Sequence, residues 1–157
     1  MEEKKLVINY AEYDSLEELP VEAKRLMESA MESAHKAYAP YSKFHVGAAV
    51  LLADGSVVQG SNQENVAYPS GLCAERTALF SASAQNPGQA VMALAVVGYF
   101  NGVYTEASPC GACRQVMTEY EMRYGNKLTV YCYLNGGRIR QINGVESLLP
   151  FGFNADL

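Results

Sequence analysis

Apolar residues recur at steps of three and four from Pro20 to Tyr38, at Ala23, Leu26, Met27, Ala30, Ala34 and Tyr38. That is the period of a helix face turned toward a core, and Pro20 suits the first turn, where its missing N–H costs nothing. The pattern then changes. Residues 44–53 and 56–60 are rich in β-branched and small apolar side chains and meet at Asp54-Gly55, which predicts a hairpin of two antiparallel strands. Residues 73–84 read as helix, 91–99 as a buried strand, 110–124 as helix and 128–134 as another strand. A short helix around 145–149 and a tail carrying Pro150, Phe151 and Phe153 follow, while the segment 6–13 fits no single element. Helix alternating with strand in this way defines an α/β class with helices layered on a sheet.

No internal repeat, low-complexity tract or linker interrupts the chain, so residues 1–157 read as one domain, with 1–19 an N-terminal extension of undefined structure. At this length, with about half the residues hydrophobic, a substantial core can form without disulfides. The opening Met1-Glu2-Glu3-Lys4-Lys5 resembles no secretory leader, which together with four cysteines predicts a reducing, cytoplasmic setting. Apolar stretches such as 48–53 and 90–99 fall far short of the roughly twenty residues that span a bilayer, which predicts no membrane partner. A net charge of -5, with twelve scattered basic residues, speaks against nucleic acid and for a small-molecule ligand of little charge.

Chemistry concentrates in two short stretches, Cys73-Ala74-Glu75 and Pro109-Cys110-Gly111-Ala112-Cys113, both at predicted helix starts. Zinc held by three protein ligands keeps its fourth position for water, and a carboxylate two residues from a ligand can carry that water's protons. The pattern predicts metal-assisted hydrolysis with one zinc ion per subunit, Cys73, Cys110 and Cys113 as ligands and Glu75 as acid and base. A helix N-terminus favours the thiolate form of such cysteines. Three thiolates leave a net negative site that weakens the ion as a Lewis acid unless donors draw charge from sulfur. Arg76 is the first candidate donor and Arg114 the second.

Other readings explain less. A redox pair needs only Cys110 and Cys113, leaving Cys73 and Glu75 idle, and a structural zinc site asks for a fourth ligand and has no use for Glu75. His35, in the amphipathic helix, and His45, in a strand, read as structural residues, and Cys132 as a buried core thiol.

Cys73-Ala74-Glu75-Arg76-Thr77-Ala78 and Pro109-Cys110-Gly111-Ala112-Cys113-Arg114-Gln115-Val116 resemble the two signature motifs of cytidine deaminases. Tyr41-Ser42-Lys43-Phe44, Val46-Gly47-Ala48-Ala49, Asn62-Gln63-Glu64-Asn65 and the tail with Leu148-Leu149-Pro150 and Phe153 extend the likeness over residues 20–153. The resemblance implies a three-layer α/β/α fold with a central mixed sheet, and hydrolytic deamination of cytidine or deoxycytidine in pyrimidine salvage. It implies that Glu75 moves protons from water to N3 of the pyrimidine and then to the departing amine. Asn62 and Glu64 would grip the ribose, Phe44 would pack on the base and the Ala74 backbone would read its edge. Small three-cysteine members are homotetramers, which implies that Tyr68 and Phe153 reach a neighbouring subunit's site. Eleven tyrosines and no tryptophan suit such interfaces.

Three family variants fit less well. Deoxycytidylate deaminases and nucleic-acid editors usually carry histidine where this chain has Cys73, and a blasticidin S-type deaminase acts on a sugar lacking the 3′-hydroxyl that Glu64 suits. A catalytically silent zinc scaffold leaves Glu75 without purpose. One departure from the common pattern is Pro69-Ser70-Gly71 before Leu72. It alters the turn expected at the pocket mouth while preserving the distance from Asn62 to Cys73.

Overall fold

The run from Val91 to Phe100 is apolar at almost every position because both of its faces are covered. In the computed structural model, which describes residues 1–154, this run is β4, near the middle of a seven-stranded sheet. The other strands are β1 (Tyr10–Tyr13), β2 (His45–Leu52), β3 (Val57–Ser61), β5 (Val103–Thr105), β6 (Thr129–Tyr133) and β7 (Ile139–Asn143). Their order is β1-β7-β6-β4-β2-β3, with β5 paired to β4 off that path. Only β4 and β6 run parallel, so the sheet is mixed, and the crossover between them carries a helix as a parallel connection requires.

Helices α1 (Val21–Ala34), α2 (Ala74–Gln85) and α3 (Gly111–Tyr124) divide between the two faces. Leu26, Met27 and Ala30 of α1 pack against Ala49, Leu51, Ala95 and Val97. Ala78 and Leu79 of α2, with Cys113, Met117 and Tyr120 of α3, pack on the opposite set, Ala48, Val50, Leu94 and Val96. Strand residues thus alternate between two cores, and the three-layer α/β/α arrangement expected from the resemblance is present. The predicted hairpin forms at Asp54-Gly55, where Gly55 takes φ +84°.

The first helix stops at Ala34, short of the predicted Tyr38. Pro40 disfavours helix just before it, and the chain is captured instead by the end of β3: Tyr38 N–H donates to Asn62 O (3.0 Å) and Glu64 N–H to Tyr38 O (2.8 Å). Three strands have no counterpart in the expected elements. The unassigned 6–13 segment supplies β1, which pairs antiparallel with β7 and is held by Glu12 bonds to Arg138 (2.9 Å) and Arg140 (2.8 Å). In β7, Ile139 enters one core and Ile142 the other, so its apolar residues stand three apart and imitate a helical period. β5 is three residues long and partly exposed. The expected helix at 145–149 is a single 3-10 turn, Val145–Ser147. Among the described residues no helix is long and apolar enough to cross a membrane.

Candidate active site

Small residues bring the site helix down onto the sheet. Gly60 of β3 lies so close to α2 that a Cβ there would stand 2.3 Å from Ala78 N and 2.6 Å from Ala74 O. Cys73 is the residue that caps this helix, and Glu75 lies in its first turn. Cys110 caps α3 in the same way, with Cys113 on the first turn. Two helix starts on one face therefore converge, as the motif positions suggested.

The three sulfurs lie within 4.8 Å of one another. Cys73 Sγ is 3.8 Å from Cys110 Sγ, which is 3.6 Å from Cys113 Sγ. Two sulfurs bound tetrahedrally to one zinc ion at ~2.3 Å stand about 3.8 Å apart, so the donor set fits that ion. Cys113 is buried and Cys110 exposed, leaving one side of the cluster open. The Cys73 thiol is drawn down to about 5, first by the hydrogen bond from the Cys113 thiol and against the effect of burial, with Arg76 and Cys110 adding to the shift. The same hydrogen bond, with burial, pushes Cys113 up. Arg76 Nη2 donates to Cys73 Sγ at 3.6 Å. Arg114 does not: its Nε donates to Pro109 O (2.8 Å) and its Nη1 to Leu148 O (2.7 Å), stapling the loop before Cys110 to the tail.

Glu75 is 3% exposed, and its carboxyl is pushed up to about 7, first by burial and further by the charge of Cys73. Beside it opens a cavity of ≈ 820 Å³ lined in part by Phe44, Asn62, Glu64, Cys73, Ala74 and Arg76. Asn62 and Glu64 already serve the cavity wall. Asn62 Oδ1 accepts from Val46 N–H (2.8 Å) and its Nδ2 donates to Phe44 O (3.0 Å). Glu64 accepts from Tyr41 N–H (2.8 Å), Ser42 N–H (3.3 Å) and the Ser42 hydroxyl, bonds that hold its carboxyl below the usual range, the hydroxyl foremost. The Phe44 ring rests over the bare Cα of Gly98, where a Cβ would lie 2.8 Å from Cζ.

Tyr68, 76% exposed, stands at the cavity mouth in edge contact with Tyr41 (5.9 Å between ring centroids). The Pro69-Ser70-Gly71 departure forms a 3-10 turn at this mouth. Phe153 is 82% exposed and does not line the cavity, although its carbonyl accepts from Gln115 Nε2 (2.7 Å). His35 bonds Tyr104 Oη (2.9 Å) and His45 stacks edge-on to Tyr99, both apart from the thiols. Cys132 is buried in β6, its thiol pushed up to about 12 by burial. One wall escaped the sequence reading. Glu106, Ala107 and Ser108 line the cavity, anchored by Glu106 N–H to Asn135 Oδ1 (3.1 Å) and Ala107 N–H to Tyr133 O (3.2 Å). The signal available was Asn135 before a Gly-Gly turn, where an asparagine commonly bonds nearby backbone.

A buried carboxyl beside three convergent thiols, on a three-layer α/β/α domain, defines a zinc-dependent hydrolytic class. Residues 20–126 match the model of the cytidine and deoxycytidylate deaminase zinc-binding region. The chain is 44% identical to the cytidine deaminase of Halalkalibacterium halodurans over 131 residues, 83% of this chain and 93% of that one. Crystal structures of cytidine deaminases from Burkholderia pseudomallei (TM-score 0.71, 45% identity, 82% of this chain and 97% of that chain) and Mycobacterium tuberculosis (0.68, 36%, 87% and 100%) share its fold. The chain belongs to the cytidine and deoxycytidylate deaminase family, the family resembled by its two cysteine motifs.

Proposed function

We propose that this protein hydrolyses cytidine and deoxycytidine to uridine and deoxyuridine with release of ammonia, serving pyrimidine salvage. The observation that carries the reading is the buried Glu75 carboxyl, which lines a cavity of ≈ 820 Å³ beside three convergent thiols. Cys73, Cys110 and Cys113 hold zinc, which when bound supplies the Lewis acidity that activates water at neutral pH. Arg76 draws charge from the Cys73 sulfur.

A carboxyl poised near pH 7 both accepts and returns a proton. Glu75 takes one from the attacking water and delivers it to N3 as the new C4–O bond forms. It then delivers the second proton to the exocyclic nitrogen as the C4–N bond breaks, leaving uridine and ammonia. Phe44 stacks on the base and the Ala74 N–H, one of the unpaired donors of the first helical turn, reads its edge. Asn62 and Glu64 face the ribose. Glu64 has spare acceptor capacity beyond its bonds to Tyr41 and Ser42, because a carboxylate offers about four lone-pair sites.

Residues 1–157 act as one cytoplasmic domain, assembled as a homotetramer in which the exposed Tyr68 and Phe153 reach a neighbouring cavity. The test is ammonia release from cytidine by zinc-loaded protein, with Glu75→Gln at equal zinc content. The variant is expected to lose about 10²- to 10⁴-fold in kcat. Folded, zinc-loaded parent without turnover on cytidine or deoxycytidine overturns the reading.

A further inference from the structure

Of the three thiols, Cys110 and Cys113 are placed by one turn of α3, so their 3.6 Å separation is local. Cys73 belongs to α2, and its 3.8 Å distance to Cys110 depends on how the two helices are aligned. Besides the thiol contacts, two side-chain bonds cross between these helices. Arg123 Nη1 to Ser83 Oγ (3.1 Å) is exposed, whereas Tyr120 Oη to Leu79 O (2.8 Å) is buried. A helix-interior carbonyl already accepts one intrahelical bond, and its second lone pair is open to such a hydroxyl. The Tyr120 ring itself is packed in the core that contains Cys113, Ala78 and Leu79.

We propose that Tyr120 is a positioning residue for the zinc site, fixing the register of α2 against α3 so that Cys73 meets the other two thiols. Leu79 lies six residues beyond Cys73, about 9 Å along the helix at ~1.5 Å per residue. A tilt of roughly 6° about that point carries the Cys73 end by about 1 Å, enough to spoil a site whose ligand distances tolerate ~0.2 Å. The inference rests on the zinc assignment and not on the substrate.

The experiment compares Tyr120→Phe with the parent, Arg123→Ala and Ser33→Ala. Ser33 donates to backbone carbonyls, including Ala48 O (3.2 Å) and Gly60 O (2.9 Å), on the α1 side of the sheet. Its loss therefore controls for general loosening. Zinc affinity is read by competition with a chromophoric chelator, site geometry by the absorption spectrum of the cobalt-substituted protein, and folding by thermal denaturation. Tyr120→Phe is expected to weaken zinc binding by about 10-fold, within the range for groups that orient metal ligands, and to alter the cobalt spectrum. Ser33→Ala is expected to lower the melting temperature with zinc affinity unchanged, and Arg123→Ala to change neither. A Tyr120→Phe protein with parental zinc affinity and cobalt spectrum overturns the proposal. So does weakening of equal size in Ser33→Ala, which would mark a merely structural effect. None of the three readouts involves cytidine, so failure here is separable from failure of the deaminase reading.

Discussion

Gly60→Ala tests whether the depth of α2 on the sheet sets activity. The added methyl would meet Ala78 N at 2.3 Å, Ala74 O at 2.6 Å and Ala78 Cα at 2.7 Å, all backbone atoms that no rotamer change can remove. Bringing the nearest of these to ordinary contact asks for a displacement of about 1 Å. Ala74 lies between Cys73 and Glu75, so the movement falls on the ligand and the proton carrier together. A misplacement of that size is worth about 10²-fold in rate, or ~2.7 kcal/mol of transition-state stabilisation. Overpacking also costs about 1–3 kcal/mol of stability, a fall of roughly 2–12 °C in Tm for a chain of this size. The assay is kcat/KM for cytidine, followed by loss of cytosine absorbance, at a temperature where every protein is folded. Gly47→Ala is the comparison. Its methyl clashes as severely, 2.0 Å from Ala30 O and 2.4 Å from Ala34 N, but against α1 on the other face. It should lose stability and keep most of its activity. A folded Gly60→Ala protein with kcat/KM within threefold of the parent would refute the reasoning.

Glu12→Ala should remove the bonds to Arg138 and Arg140 and free β1, costing about 1 kcal/mol and a few degrees of Tm. Activity should be unchanged, because β1 is at the sheet edge remote from β4 and β2, and a loss of kcat/KM would disprove that separation. Glu64, whose carboxyl the Ser42 hydroxyl and the Tyr41 and Ser42 amides hold below its ordinary value of 4.5, should anchor that loop fully above pH 4.5. The anchoring is lost as pH falls through the lowered folded value, because protonation then removes the charged acceptor. Amide resonances of Tyr41 and Ser42 followed by NMR should move only in that acid range and cease to titrate there in Glu64→Gln. Movement centred above pH 4.5 would contradict the assignment.

What could be read from the chain was what local chemistry specifies. Cys73 and Cys110 were legible as lying at helix starts because their spacing to Glu75 and Cys113 is short and each motif opens an element. The β4 strand was legible because burial on both faces leaves a continuous apolar run. β7 was not, since Ile139 and Ile142 serve opposite cores and their spacing of three carries the wrong period. β1 was not, because its partner lies at the other end of the chain. Arg76 and Arg114 each directly follow a cysteine motif, yet of the two only Arg76 bonds a thiol. The difference lies in the carbonyls of Pro109 and Leu148, which three-dimensional folding alone brings within reach of Arg114.

The pairing of β1 with β7 imposes an order on the chain's birth. Tyr10 aligns with Ile142, so β1 waits for its partner until β7 has been made. At ~5–20 residues per second, roughly 7–26 s separate the synthesis of these two partners. During that interval Tyr10, a β1 side chain that remains exposed even in the finished fold, has no sheet edge to join. Cys73, Cys110 and Cys113 are all made before β6, so the thiols that gather the metal can be in hand while the N-terminus is still unattached. Nascent protein thus passes through a stage in which the three thiols have been made while β1 has no partner strand.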